Sequence, residues 1–93
     1  METTQATATT YEGWKNRATW NVALWIANDE LLYRAAVEFM KIYKGHSSYF
    51  DFVQREGLDG LRTPDNFKWV SLDLSYSELN EMMREFAPEG TRA

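Results

Sequence analysis

A chain of 93 residues with no cysteine has room for one small core, and excludes a disulfide framework, a thiolate nucleophile and a zinc-thiolate centre. Its apolar share of 44% and charged share of 26% are those of a globular domain, and exclude the disordered class. The formal charge of −4 is uneven: acids and bases balance over residues 1–46, so the whole excess lies in residues 47–93. No run of three basic residues occurs, which disfavours binding nucleic acid through its phosphates and points instead to a protein partner carrying a basic groove. No stretch approaches the roughly 18 apolar residues of a membrane helix, and METTQATATT lacks the basic start and greasy run of a secretory signal. The expectation is no membrane association and a cytoplasmic location.

Residues 1–10 hold five Thr and no apolar periodicity, so they are expected to form a disordered tail. Residues 88–93 are expected to fray, and residues 11–87 to fold as one domain. Asn16 is a suitable N-cap for a helix over 17–27. At about 100° per residue, Trp20, Ala23, Leu24 and Ala27 share one face and Val22, Trp25 and Ile26 another. Only a narrow polar stripe remains, made by Arg17, Asn21 and Asn28. A helix apolar almost all round predicts the central one, with Trp20 as a core ring.

Asp29 as N-cap, with Glu30 in the first turn, starts a second helix over 30–43. Leu32, Ala36, Phe39 and Tyr43 face the core, flanked by Ala35, Met40 and Ile42. Arg34 and Glu38 pair on the wet side, and Gly45 supplies a left-handed C-cap. A short third helix over 49–56 is predicted from Ser47 or Ser48, with Asp51 closing a capping-box-like arrangement from Ser48 and Gly57 as terminator. Tyr49, Phe50, Phe52 and Val53 give it inward bulk. Turn formers make 57–66 a loop. In KWVSLDLS, apolar and polar residues alternate, but no second strand is evident, so an extended segment near 68–72 packed on helices is expected. Ser75 followed by Glu78 is a capping box for a last helix. That helix buries Leu79, Met83 and Phe86, with Tyr76 and Met82 beside them, and turns Glu78, Glu81 and Glu85 outward. The fold class is therefore mainly α: a small single-domain bundle of about four helices around a central Trp-rich helix.

No constellation carries chemistry. Metal centres need several converging ligands, and there is one His, His46, with no Cys. His46, Ser47 and Asp51 are too close in sequence to converge as a triad. The glutamates of the last helix share a solvent face rather than lining a cleft. No phosphate-cradling glycine motif occurs. No cofactor, no metal and no catalytic residue are expected, and the protein is not read as an enzyme.

Two surfaces are candidates for partner contact. One is the stripe of Arg17, Asn21, Trp25 and Asn28, since Trp with Arg is enriched at interface hot spots; the alternative for Asn21 and Asn28 is service as internal staples to neighbouring loops. The other is the acidic face of Asp73, Glu78, Glu81 and Glu85. A competing class stacks nucleic-acid bases on Trp14, Trp25 or Tyr49 with help from Lys15 and Arg17. A third is self-association as a homo-oligomer through leftover apolar surface.

The stretch YEGWKNRATWNVALWIANDE at 11–30 resembles a family of short, uncharacterised proteins carried by bacteriophages, plasmids and their bacterial hosts, with the pattern G-W-x-N-x-x-T-W-N-V-x-L-W-[hydrophobic]-x-N-[DE]. Gly13, Trp14, Asn16, Thr19, Trp20, Asn21, Val22, Leu24, Trp25, Ile26, Asn28 and Asp29 carry the likeness, with a fainter echo in TPDNFKW and ELNEMMRE. The Thr-rich start and the aromatic third helix depart from it. The resemblance implies an accessory protein of a mobile element, in the cytoplasm of a bacterial host. By analogy of lifestyle it suggests an inhibitor of a host defence complex, CRISPR or restriction, or of a regulatory complex.

Overall fold

A computed structural model describes residues 11–87; the expected tail at 1–10 and the frayed end at 88–93 lie outside the described residues. Four helices form, α1 (Arg17–Asn28), α2 (Glu30–Ile42), α3 (Ser48–Arg55) and α4 (Tyr76–Phe86), and the domain is the mainly α bundle that the periodicity predicts. The caps of the first two are as read: Asn16 Oδ1 accepts from the Thr19 N–H at 2.9 Å and Asp29 Oδ1 from the Leu32 N–H at 3.0 Å. Helices α2 and α4 each pack against all three others, whereas α1 and α3 do not meet. Among the described residues, no helix is long and apolar enough to cross a membrane.

The side-chain partition of α1 differs from the expectation. Val22, Ala23 and Ile26 are in the core, together with Thr19 and Asn21. Trp20 and Leu24 are half-buried and Ala27 is exposed. Trp20 is therefore not a core ring; it meets Tyr11 edge-on, with centroids 4.9 Å apart. The cause is the polar stripe: the connection between α3 and α4 packs on that side of α1 and bonds to it, which turns Asn21 inward and rolls Trp20 to the margin. The buried indole is Trp69, 3% exposed, whose carbonyl accepts from the Tyr49 hydroxyl at 2.5 Å.

Helix α2 buries Ala36, Phe39 and Met40, but Ile42 is 68% exposed rather than flanking the core. Arg34 pairs with Glu30, and Lys41 with Glu38 at 2.9 Å, in place of the Arg34–Glu38 pair. A glutamate one turn N-terminal to its cation has the better dipole alignment. Gly45 does not take the left-handed conformation; the Tyr43 ring lies where a Cβ on Gly45 would be.

Helix α3 starts without the box expected from Ser48, which is its first residue and donates to Asn80 Oδ1 at 3.4 Å, and its N-cap, Ser47, makes no side-chain cap bond. Asp51 instead accepts from the Tyr43 hydroxyl at 2.5 Å. The cap comes from α4: Asn80 Oδ1 accepts from the Tyr49 N–H at 2.9 Å while Asn80 Nδ2 donates to the His46 carbonyl at 3.3 Å. The end of α3 is a Schellman motif, as Gly57 suggested. Gly57 has φ +76°, its N–H bonds the Gln54 carbonyl at 3.1 Å, and the Leu58 N–H bonds that of Val53 at 2.8 Å.

The segment expected to be extended near 68–72 is not: residues 69–70 bend and 72–73 turn, and of that segment only Lys68 is bridged. Arg62 and Lys68 form an isolated antiparallel bridge. It is closed by Thr63 N–H to Phe67 O at 2.7 Å and Trp69 N–H to Leu61 O at 3.1 Å. Between them the chain reverses through Pro64 and Asp65, with Asn66 at φ +76°; Asn tolerates this left-handed position better than most residues. The arm is too short for its alternation to register as a strand pair.

Replacing Asn80 by Ala removes the trans cap of α3 and should cost about 1–2 kcal/mol of stability in urea denaturation. Asn80→Asp keeps the acceptor at a helix N-terminus and should cost less than about half as much. Equal losses in both variants would contradict the capping role.

Candidate functional site

Of the first candidate set, Asn21 is 1% exposed and both ends of its amide are hydrogen-bonded. Its Oδ1 accepts from Thr63 Oγ1 at 2.7 Å, and its Nδ2 donates to Asp65 Oδ2 at 2.9 Å. The same Asp65 oxygen accepts from the Trp25 indole N–H at 2.9 Å. The Arg17 guanidinium lies 5.6 Å from the centroid of the Phe67 ring, within cation–π range. Asn28 is exposed and donates back to the Leu24 carbonyl at 3.1 Å. Three of the four stripe residues thus engage the 61–69 hairpin. Asp65 and Thr63, their partners, were not singled out by the sequence; the Pro-Asp-Asn turn around Asp65 and the faint family echo in TPDNFKW were its signals.

The acidic candidates divide differently. Glu78, Glu81 and Glu85 line an open groove of about 500 Å³ together with Gly13, Trp14, Ser77 and Met82. Trp14 and Met82, both half-buried, form its apolar part. Asp73 is not in its lining; it is exposed on the preceding turn, where its carbonyl accepts from Asn16 Nδ2 at 2.6 Å.

Trp14 is placed by a tight two-residue turn. Tyr11 and Trp14 exchange backbone hydrogen bonds of 2.7 and 2.8 Å, across Glu12 at φ +52° and Gly13 at φ +88°. Two successive positive φ values are the requirement of a type I′ turn, which Gly meets at no steric cost and Glu does not. Opposite Trp14, α4 is tied to the start of α1. The Lys15 N–H donates to Glu78 Oε1 at 2.8 Å, and the Ser75 N–H to Thr19 Oγ1 at 3.0 Å. The capping box is therefore half-formed. Ser75 accepts from the Glu78 N–H at 3.4 Å, but the Glu78 carboxylate serves Lys15 rather than returning to Ser75. Glu81 pairs with Arg84 at 2.6 Å on the surface, while Glu85 is exposed.

His46 and Ser47 are exposed and Asp51 is bonded to Tyr43. Among the described residues no three His, Cys, Asp or Glu side chains are grouped to hold a metal ion. What the groove offers is apolar contact beside a row of three glutamates on α4, of which Glu81 is paired with Arg84. Burial pushes the Tyr49 hydroxyl well above its ordinary value, so it is a neutral donor to Trp69 and no acid–base group.

The hydrogen bond from Asn21, then that from Trp25, holds the Asp65 carboxyl below the ordinary value of 3.8. A carboxylate depressed in the folded state contributes stability above the unfolded value, and that contribution is lost as pH falls through its own lower value. The Trp25 indole N–H resonance should therefore move as the pH is lowered below 3.8 and the hairpin loosens, and Asp65→Asn should abolish the step. A wild-type resonance unmoved over that range would contradict the clamp.

No curated protein and no solved structure matches the chain. A family model matches residues 7–90, which include α1 to α4, the hairpin and the groove. The chain belongs to the family of unknown function DUF7249.

Proposed function

We infer that this is a small noncatalytic accessory protein of phage or mobile-element type that binds a host protein, and that it inhibits a host defence complex, CRISPR or restriction, or a regulatory complex. The observation that carries this reading is the groove. Trp14 and Met82 supply apolar area beside the row of Glu78, Glu81 and Glu85, an arrangement complementary to a protein surface with an apolar side chain beside cations. A basic host surface evolved to hold nucleic acid has that chemistry. The phage or plasmid context rests on the signature at 11–30 alone.

The base-stacking alternative is less well supported. Tyr49 is fully buried and not available to a base. Trp14 opens among carboxylates, which repel phosphates, and the Trp25 N–H is held by Asp65. The formal charge of −4 acts in the same direction.

The test uses the immobilised chain in extract of a bacterial host, with the captured protein identified and then purified for titration. Binding should weaken as salt rises. The double variant Glu81→Lys/Glu85→Lys should bind at least about tenfold more weakly, about 1.4 kcal/mol, with an unchanged helical circular dichroism spectrum. Affinity untouched by both salt and charge reversal would remove the groove as the contact surface.

A further inference from the structure

On the hairpin, away from the groove lining, two cations face each other. The bonds that flank Arg62 and Lys68, Thr63 N–H to Phe67 O and Trp69 N–H to Leu61 O, make them a non-hydrogen-bonded antiparallel pair. In that register opposing side chains approach most closely, and like charges placed directly opposite each other destabilise the pair. Both residues are exposed. Among the described residues neither takes part in an ion pair; those present are Glu30–Arg34, Glu38–Lys41 and Glu81–Arg84. Arg62 Nη1 donates to the Asn66 carbonyl at 3.0 Å, which fixes the guanidinium beside the turn. Its other N–H groups make no hydrogen bond among the described residues.

Both cations line one concavity of about 230 Å³, with Asp59, Gly60, Leu61 and Val70. We propose that this concavity is an oxyanion site that takes a single phosphate group between Arg62 and Lys68. A phosphate bridging the pair converts a repulsive contact into two charge-assisted hydrogen bonds, and a guanidinium already anchored loses little freedom on binding. The volume is below the range of drug-sized ligand sites and suits one phosphate with little attached. Asp59 in the wall lowers the positive potential, so affinity is modest. A polyanionic strand gains little there, because nucleic-acid binding needs an extended row of cations. The site is independent of the groove and of any partner bound in it.

The test is titration of the whole chain with inorganic phosphate at low ionic strength, followed by amide chemical shifts. Residues 60–62 and 68–70 should shift and saturate with a dissociation constant of about 1–10 mM. Arg62→Gln/Lys68→Gln should weaken this at least tenfold. Asp59→Asn should tighten it, a gain that misfolding does not produce. Lys68→Glu should abolish the response while leaving the melting temperature equal or higher, because it makes the cross-strand pair attractive. Glycerol 3-phosphate run in parallel distinguishes the source: tighter binding assigns an esterified phosphate, and weaker binding the free ion. Shifts that fail to saturate, that map elsewhere, or that persist in the double Gln variant overturn the site. So does a single-stranded oligonucleotide that binds the same residues more tightly than phosphate.

Discussion

The side-chain amide of Asn21 is buried in the face of α1, and a buried amide left unpaired costs about 1–3 kcal/mol. Its two bonds, from Thr63 and to Asp65, therefore constrain where the 56–75 connection can lie. That connection carries Trp69 and Leu74 into the core with a single bridge for regular structure. Side chains of α1 and of its N-cap provide what a sheet or helix ladder would have provided. Asn16 takes the Asp73 carbonyl, Thr19 the Ser75 N–H, Asn21 the Thr63 hydroxyl, and Trp25 joins Asn21 on Asp65.

The groove follows from the same rail. Because Asn16 and Thr19 hold the last residues before α4, that helix begins beside the start of α1, and Glu78 can reach the Lys15 N–H. The type I′ turn then sets Trp14 against Met82. Asn80, two residues beyond Glu78, caps α3 from the other side of α4. One helix thus organises both α1 and α3 while keeping Glu81 and Glu85 on its outer surface. The surface that results has two characters: an apolar groove beside a row of glutamates at the α1–α4 junction, and a hairpin with two opposed cations.

Much of this was legible in the residues because local rules decide it. Asn16, Asp29 and Ser75 announced three helix starts, Gly57 announced one end, and the spacing of Leu79 and Met83 gave the buried face of α4. The failures that follow share one cause, a side-chain contact overriding a backbone or hydropathy preference. Ser48 and Asp51 form a box on paper, yet Asn80 and Tyr43, 32 and eight residues away respectively, take the two groups. Gly45 reads as a left-handed cap, yet the Tyr43 ring fills its Cβ position. Trp20 reads as core on hydrophobicity alone, yet the hydrogen bonds of Asn21 decide which way α1 faces. The acids of the groove were visible in the sequence. Its floor was not, because Trp14 and Met82 come together only when α4 docks at the start of α1.

The account rests on Asn21 holding the connection, so the direct measurement is a double-mutant cycle of Asn21→Ala and Thr63→Val in chemical denaturation. Both side chains are buried and their polar atoms are 2.7 Å apart. A coupling energy of about 1 kcal/mol or more is predicted. Additivity within about 0.3 kcal/mol would show that the connection is held without this bond, and would contradict the account.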